Sequence, residues 1–288
     1  MITTIIFSKD RPLQLDLCLK SIKKNLVGSN DITITVIENY SEKYRSSLET
    51  LKSEHSDVHF VRQQYSNLFK CILSVLCVQQ ERPVAFFTDD GILFGKVNVR
   101  NIVGCMKNPH VVAYSMRMGN NINIREHEGV AFEDALPSGV GSNIGAINTL
   151  LWNKTSRGYG SYWSYSHSVD GHVFRYDDIF DWVDTINLLS CHGKLDCKTP
   201  NDFESALQMF WPLSGTLMGS PQFSCYVNSP NNRVSSNFES NMSGEVYNYS
   251  PELLLEQYMD GKRIDLDHLF IPYITCPHTE INITKGLK

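Results

Sequence analysis

Asp89 and Asp90 stand where an apolar run stops: Val84, Ala85, Phe86 and Phe87 lead through Thr88 straight into the two carboxylates. Adjacent aspartates in such a place suit a hard divalent cation and a phosphorylated ligand. Three earlier segments stop in the same way. Ile2 to Phe7 runs into Lys9, Asp10 and Arg11; Ile32 to Ile37 closes at Glu38 and Asn39; Val58 to Val61 ends at Arg62. Lysine and arginine answer phosphate charge, and the acids and amide suit metal or ribose hydroxyls.

The elements that must position these groups follow from periodicity. Each apolar run reads as a strand buried on both faces. Between the first two, Leu15, Cys18, Leu19, Ile22 and Leu26 form one helical stripe, with Pro12 in the first turn, where a missing N–H costs nothing. Tyr44, Leu48 and Leu51 mark a second helix, and Leu68, Ile72, Val75 and Leu76 a third. Strands separated by helices imply right-handed crossovers and a mostly parallel sheet, so the residues after each strand gather on one edge, where ligands of open α/β sheets bind. The pattern continues with a helix near Val97 to Met106 and a strand Val111 to Ser115.

After Arg117 the character changes. Met118 to Tyr162 is rich in Gly, Asn and Ser and reads as a long functional loop. WSYSHSVDGHVFR from Trp163 reads as a strand, followed by a helix Asp177 to Leu189 whose start Asp177 and Asp178 would cap. A helix Asp202 to Met209, a strand Phe223 to Val227 and a helix Pro251 to Met259 complete the reading.

Bulk properties narrow the class. The 288 residues suffice for one large domain or a domain with a lobe. The net charge of −5 leaves no excess of lysine and arginine for nucleic-acid phosphates. No apolar run of membrane-spanning length occurs, and the apolar stretch at the N-terminus is too short for a signal peptide. The expectation is a cytoplasmic protein, with peripheral attachment to a membrane left open. Eight scattered cysteines read as free, packed thiols; Cys191, His192 and Cys197 fit no zinc spacing. Sequons at Asn39, Asn153, Asn241, Asn248 and Asn282 carry little weight without a secretory signal.

No G-x-G-x-x-G follows the first strand, and GILFGK at Gly91 to Lys96 is one residue short of a P-loop with Val97 in the Ser/Thr place. What remains is a strand-end site without a glycine phosphate loop. Here a resemblance enters. TTIIFSKDRPLQLDLCLKSI, ITVIENYSEKY and FFTDDGILF together resemble the nucleotide-sugar-binding half of GT-A glycosyltransferases of the family 2-like group; HSVDGHVFR, TPNDFESAL, SPNNRV and GKRIDL resemble segments of uncharacterised bacterial sugar transferases.

The resemblance implies an α/β, GT-A-like (Rossmann-like), mostly parallel sheet flanked by helices. Residues 1–116 would form the nucleotide-sugar-binding half and 117–288 the acceptor-binding, C-terminal half of the same domain. It implies a nucleoside-diphosphate sugar donor, most simply a UDP- or GDP-sugar, a divalent cation (Mn²⁺ or Mg²⁺), and an acceptor hydroxyl on a glycan or lipid-linked precursor. Lys9, Asp10, Arg11, Glu38, Asn39, Arg62, Thr88, Asp89 and Asp90 are then the donor-site residues. Asp90 is the metal ligand. Gly91, however, stands where the D-x-D pattern carries its second acid.

An inverting transfer needs a carboxylate to take the acceptor's proton. Asp170, before Gly171 and between His167 and His172, is the first candidate and Glu204 the second. His278, and less so His268, would return to the metal, and Tyr159, Tyr162, Trp163 and Tyr165 offer faces for a sugar. An Asp-Gly turn at 170–171 and a polar strand end at 89–90 are the plainer readings. The alternative function is a catalytically silent GT-A-like module that binds nucleotide or glycan.

Overall fold

Buried strands and amphipathic helices alternate along the chain as the apolar periodicity requires. The computed structural model describes residues 1–28, 32–63, 68–127, 130–137, 141–144, 147–158, 160–234 and 243–288. In chain order the strands are β1 (Ile2–Lys9), β2 (Leu26–Val27), β3 (Ile32–Asn39), β4 (His59–Arg62), β5 (Val84–Thr88), β6 (Gly91–Leu93), β7 (Val97–Asn98), β8 (Val111–Ser115), β9 (Ile124–His127), β10 (Val130–Glu133), β11 (Gly141–Ile144), β12 (Ile147–Asn153), β13 (His172–Phe174), β14 (Leu217–Pro221) and β15 (Tyr226–Asn228). The helices are α1 (Pro12–Asn25), α2 (Arg45–Glu54), α3 (Leu68–Val78), α4 (Val99–Met106), α5 (Tyr176–Cys191), α6 (Pro200–Leu207) and α7 (Pro251–Met259).

Among the described residues nine strands form one sheet, in the order β11-β12-β14-β8-β13-β5-β1-β3-β4. The pairings β1 with β3 and β5, β3 with β4, and β14 with β8 are parallel. β13 is antiparallel to both its neighbours, as β12 is to both of its own. Taking β1 as reference, only β13 and β12 run against the rest. This is the mostly parallel α/β sheet with flanking helices that the GT-A resemblance implies. The reversed β13 matters for the site: a strand running backwards delivers the residues before it, Asp170 and Gly171, to the edge where its neighbours β5 and β8 deliver the residues after them.

Local chemistry sets the helix starts. Pro12 opens α1, whose Leu15, Cys18, Leu19 and Ile22 are fully buried. Asn98 caps α4, and Thr199 with Asp202 forms a reciprocal capping box at α6. Under the carboxyl edge lies an aromatic core: Phe86 stacks on Phe7 at 5.9 Å and meets Phe174 and Phe203 edge-on at 6.1 and 5.8 Å. Phe203 thereby fixes α6 against the sheet, with Glu204 next to it in the chain.

Several expectations need correction. The strand expected from Trp163 is confined to His172–Phe174, because serines and Asp170 there turn their hydrogen bonds inward and Gly171 takes φ +70°. Within Met118 to Tyr162 lie the hairpin β9–β10 and the sheet strands β11 and β12. β14, which pairs centrally with β8, was not expected; its Gly219 and Pro221 dilute the apolar signal. The expected strand Phe223 to Val227 is shorter and shifted, at β15. Arg175 is the N-cap of α5, so Asp177 and Asp178 occupy the first turn, where they favour the helix dipole.

Candidate active site

The carboxyl edge opens into a cleft of about 1110 Å³, whose lining includes the strand-end residues Lys9, Arg11, Asn39, Thr88, Asp89 and Asp90 together with Arg117, Tyr162, Tyr165, Asp170 and Glu204. Parallel registry aligns the strand ends: Lys9 lies opposite Asn39, and Phe7 opposite Thr88.

One cluster is built on Arg11. Its Nη1 donates to Asp89 Oδ1 at 3.0 Å and to Asp90 Oδ2 at 2.9 Å. Asn232 grips the guanidinium from the other side, accepting from Nε at its Oδ1 (2.7 Å) and from Nη2 at its backbone carbonyl. The remaining carboxylate oxygens are also engaged: Lys9 N–H donates to Asp89 Oδ2 at 2.9 Å, and Asn228 Nδ2 donates to Asp90 Oδ1 at 2.8 Å. Burial raises the pKa of Asp89, with the Arg11 charge opposing it. Burial also pulls against the Arg11 charge, but Asp90 and Asp89 outweigh it and raise its pKa.

The second cluster is assembled from distant segments. Arg117, just beyond β8, donates from Nη1 to Asp170 Oδ2 at 3.2 Å, and both side chains are buried. Asp170 Oδ1 accepts from Tyr226 Oη at 2.5 Å and Thr88 Oγ1 at 3.1 Å. His278 completes it: Nε2 accepts from Arg117 at 3.3 Å while Nδ1 pairs with Asn228 Oδ1 at 3.3 Å. Those contacts fit the neutral tautomer, and burial together with Arg117 lowers the His278 pKa to about 4. Burial likewise holds His172 far below its usual value and His167 at about 3.

Two glycines exist for one tyrosine. A Cβ on Gly91 would lie 1.8 Å from Tyr226 Oη, and one on Gly171 would lie 2.7 Å from the Tyr226 ring. Tyr226 thus occupies the space that an acid at position 91 would need. For this reason, and because every oxygen of Asp89 and Asp90 already has a donor, the residues at this spot do not fit a divalent ion. Among the described residues no cluster of three His, Cys, Asp or Glu side chains is spaced to hold a metal.

The other sequence-selected residues divide. Asp10, at φ +54°, turns its carboxylate onto the backbone N–H and hydroxyl of Ser41, each at 2.7 Å, and so ties the β1 end to the β3 end. Glu38 is buried and pairs with Lys52 at 2.8 Å, and Arg62 stacks on the Tyr40 ring at 4.1 Å. None of these three lines the cleft. Trp163 is buried against Trp152 at 5.0 Å. His268 pairs with Asp265 at 3.0 Å, away from the cleft. Tyr159 and Asn241 lie outside the described residues.

Glu204 faces the cleft from α6, bonded by Ser168 and by Val169 N–H at 3.3 Å; burial raises its pKa, with Arg117 opposing. Sequence reading missed Arg117, Tyr226, Asn228 and Asn232. Arg117 had a usable signal, since it follows a fifth strand end in the same way as the first four. Tyr226 and Asn228 belong to the three-residue strand β15 and Asn232 to the segment after it, and nothing local in the sequence assigns their side chains to the site.

Among the described residues no helix is long and apolar enough to cross a membrane. No protein-family model and no curated protein matches the chain. Among solved structures it is similar to S. aureus TarS 1-349 in complex with UDP, at 12% identity and a TM-score of 0.47 over 78% of this chain and 59% of that one. The same fragment in complex with UDP-GlcNAc gives 12% and 0.45 over 93% and 69%. Mannosyltransferase PcManGT from Pyrobaculum calidifontis, in complex with GDP-Man and Mn²⁺, gives 14% and 0.33 over 74% and 70%. The chain spans 36% of the longer TarS chain.

Proposed function

We propose that this protein moves a sugar from a nucleoside-diphosphate sugar, with UDP- and GDP-sugars the first choices, to a hydroxyl of a glycan or lipid-linked acceptor. The observation that carries this reading is the convergence of Lys9, Arg11, Asn39, Thr88, Asp89 and Asp90 from three strand ends on one cleft of about 1110 Å³. Ligand pockets for single small molecules run to roughly 300–1000 Å³, so the volume accommodates donor and acceptor together.

In the reaction the acceptor oxygen bonds to the anomeric carbon and the bond from that carbon to the diphosphate oxygen breaks, its electron pair staying on the diphosphate. Lys9 and Arg11 face the charge that develops there, and they are most effective when fixed in place beforehand. The acceptor's proton needs a base within hydrogen-bond reach. Asp170 is already committed to Arg117, Tyr226 and Thr88; it positions Arg117. Glu204, whose pKa burial raises, is better matched to taking a proton. Tyr162 and Tyr165 line the cleft and offer aromatic contact to the acceptor.

The test is a panel of UDP-, GDP- and CMP-sugars, read by thermal shift and by nucleotide release with glycan acceptors. Stabilisation by one nucleotide class together with release is the expected outcome. Stabilisation by none would sink the reading, and binding without release on any acceptor would make the protein the silent module.

A further inference from the structure

We propose that Arg11, with Lys9 beside it, is the resident cation of this site and holds the place a divalent ion would take between Asp89 and Asp90. The inference rests on the donor-site reading above, and its own support is geometric. One Arg11 nitrogen bridges the two aspartates at 3.0 and 2.9 Å. A guanidinium in that position satisfies both carboxylates as a shared ion would. Asn232 fixes the opposite edge of the guanidinium, leaving one Nη2 hydrogen without a partner among the described residues.

Charge accounting agrees. Two aspartates and a divalent ion sum to zero, and so do two aspartates with Arg11 and Lys9. The Lys9 side chain is exposed on the cleft wall and joins no ion pair among the described residues. The third corner of a metal site is closed on the other side, since Tyr226 fills the space beyond Gly91 and bonds Asp170 at 2.5 Å. His278, the remaining candidate ligand, presents its Nε2 to Arg117 and its Nδ1 to Asn228. The diphosphate therefore meets organic cations that are already in position, and binding it requires no metal.

The experiment compares UDP and GDP binding by calorimetry in EDTA with binding in Mn²⁺, and measures Mn²⁺ binding to the nucleotide-free protein by electron paramagnetic resonance. For the natural sequence, nucleotide dissociation constants should agree within about twofold between EDTA and Mn²⁺, a difference under ~0.5 kcal/mol, and free Mn²⁺ should not be depleted. Arg11→Ala should lose about tenfold or more in nucleotide affinity in EDTA. It should also gain a Mn²⁺ site at the freed aspartates, with Mn²⁺ restoring part of the nucleotide affinity. Arg11→Lys, which keeps the charge but loses the fork, should fall between. Nucleotide binding by the natural sequence only in Mn²⁺ would overturn the inference and leave the donor reading intact; this arm needs no variant to fold. Undiminished affinity in a folded Arg11→Ala would also overturn it. Failure of both nucleotides under every condition would instead remove the donor reading, and this inference with it.

Discussion

Two arginine–aspartate clusters share the cleft, and they are built on opposite principles. Around Arg11, one cation faces two carboxylates that are adjacent in sequence, and its neighbour Lys9 is open to the cleft. Around Arg117, one cation faces one carboxylate, both are buried, and Tyr226 and His278 close the remaining sides. The two are joined by Asn228, which bonds Asp90, Thr88 and His278. A cluster whose charge is balanced only by an exposed lysine at the cleft is suited to receiving an anionic ligand. A balanced, enclosed one is suited to holding the walls in register.

The largest effect on folding comes from the enclosed cluster. Arg117→Met leaves Asp170 buried without its cation, and breaking a buried pair from one side costs about 3–5 kcal/mol. Urea denaturation should show this as a lower midpoint. A loss below about 1 kcal/mol would mean that Asp170 is solvated, and the division between the clusters would fall.

The open cluster should instead show itself in ligand affinity. Asp90→Asn keeps the shape of the side chain but weakens its hold on Arg11. It should cost about tenfold in nucleotide affinity, equivalent to ~1.4 kcal/mol, and should lower the denaturation midpoint less than Arg117→Met does, because Asp89 still faces Arg11. Asp178→Asn, whose partner Arg175 lies on the far side of the sheet's strand ends at the start of α5, serves as the control and should change neither. Equal small losses in Asp90→Asn and Asp178→Asn would make the paired aspartates structural.

The same contrast explains what was legible in the sequence. The Arg11 cluster follows from local rules: apolar runs that stop, polar residues after them, and crossovers that align the stops. Those rules bring Lys9, Arg11, Asn39, Thr88, Asp89 and Asp90 to one cleft. They cannot say which strand-end side chains turn into the cleft, so Asp10, Glu38 and Arg62 were selected although each bonds within the scaffold. The Arg117 cluster depends on contacts between residues 53 to 161 positions apart, on a strand that runs backwards, and on a tyrosine supplied by a strand of three residues. No periodicity reports such pairings. The glycines at 91 and 171 were visible as departures from pattern, but only packing shows that both make room for Tyr226.

Acid separates the clusters by sign. Next to Asp170, His167 and His172 are fully buried, and burial lowers the pKa of each; an unfolded histidine has its pKa near ~6.5. Below that value the unfolded chain binds protons that the folded one refuses, so this stability is present above about pH 6.5 and is lost as pH falls. Asp89 runs the other way, since a raised folded pKa adds relative stability as pH falls through it. His167→Phe keeps the ring packing against Trp182 at 4.8 Å and removes the titration. Relative to the natural sequence it should gain about 1 kcal/mol between pH 6 and pH 5 in urea denaturation. A parallel pH dependence in the two proteins would show His167 to be open to water.

The smallest expected effect tests how far the open cluster's charge extends. Lys9 is an exposed residue of the cleft lining, while its backbone N–H holds Asp89. Lys9→Ala preserves that backbone bond, so the geometry of Arg11 and the two aspartates should persist and the denaturation midpoint should hold. What is lost is one positive charge near the diphosphate. For an exposed group this is worth about 0.5–1 kcal/mol, or roughly two- to fivefold in nucleotide affinity, and the loss should shrink as salt is raised because the interaction is screened. A loss that is independent of salt would place the ammonium in direct, enclosed contact with phosphate. No loss at all would leave Arg11 as the cation that meets the donor, and the charge balance between the cluster and a divalent ion would no longer hold.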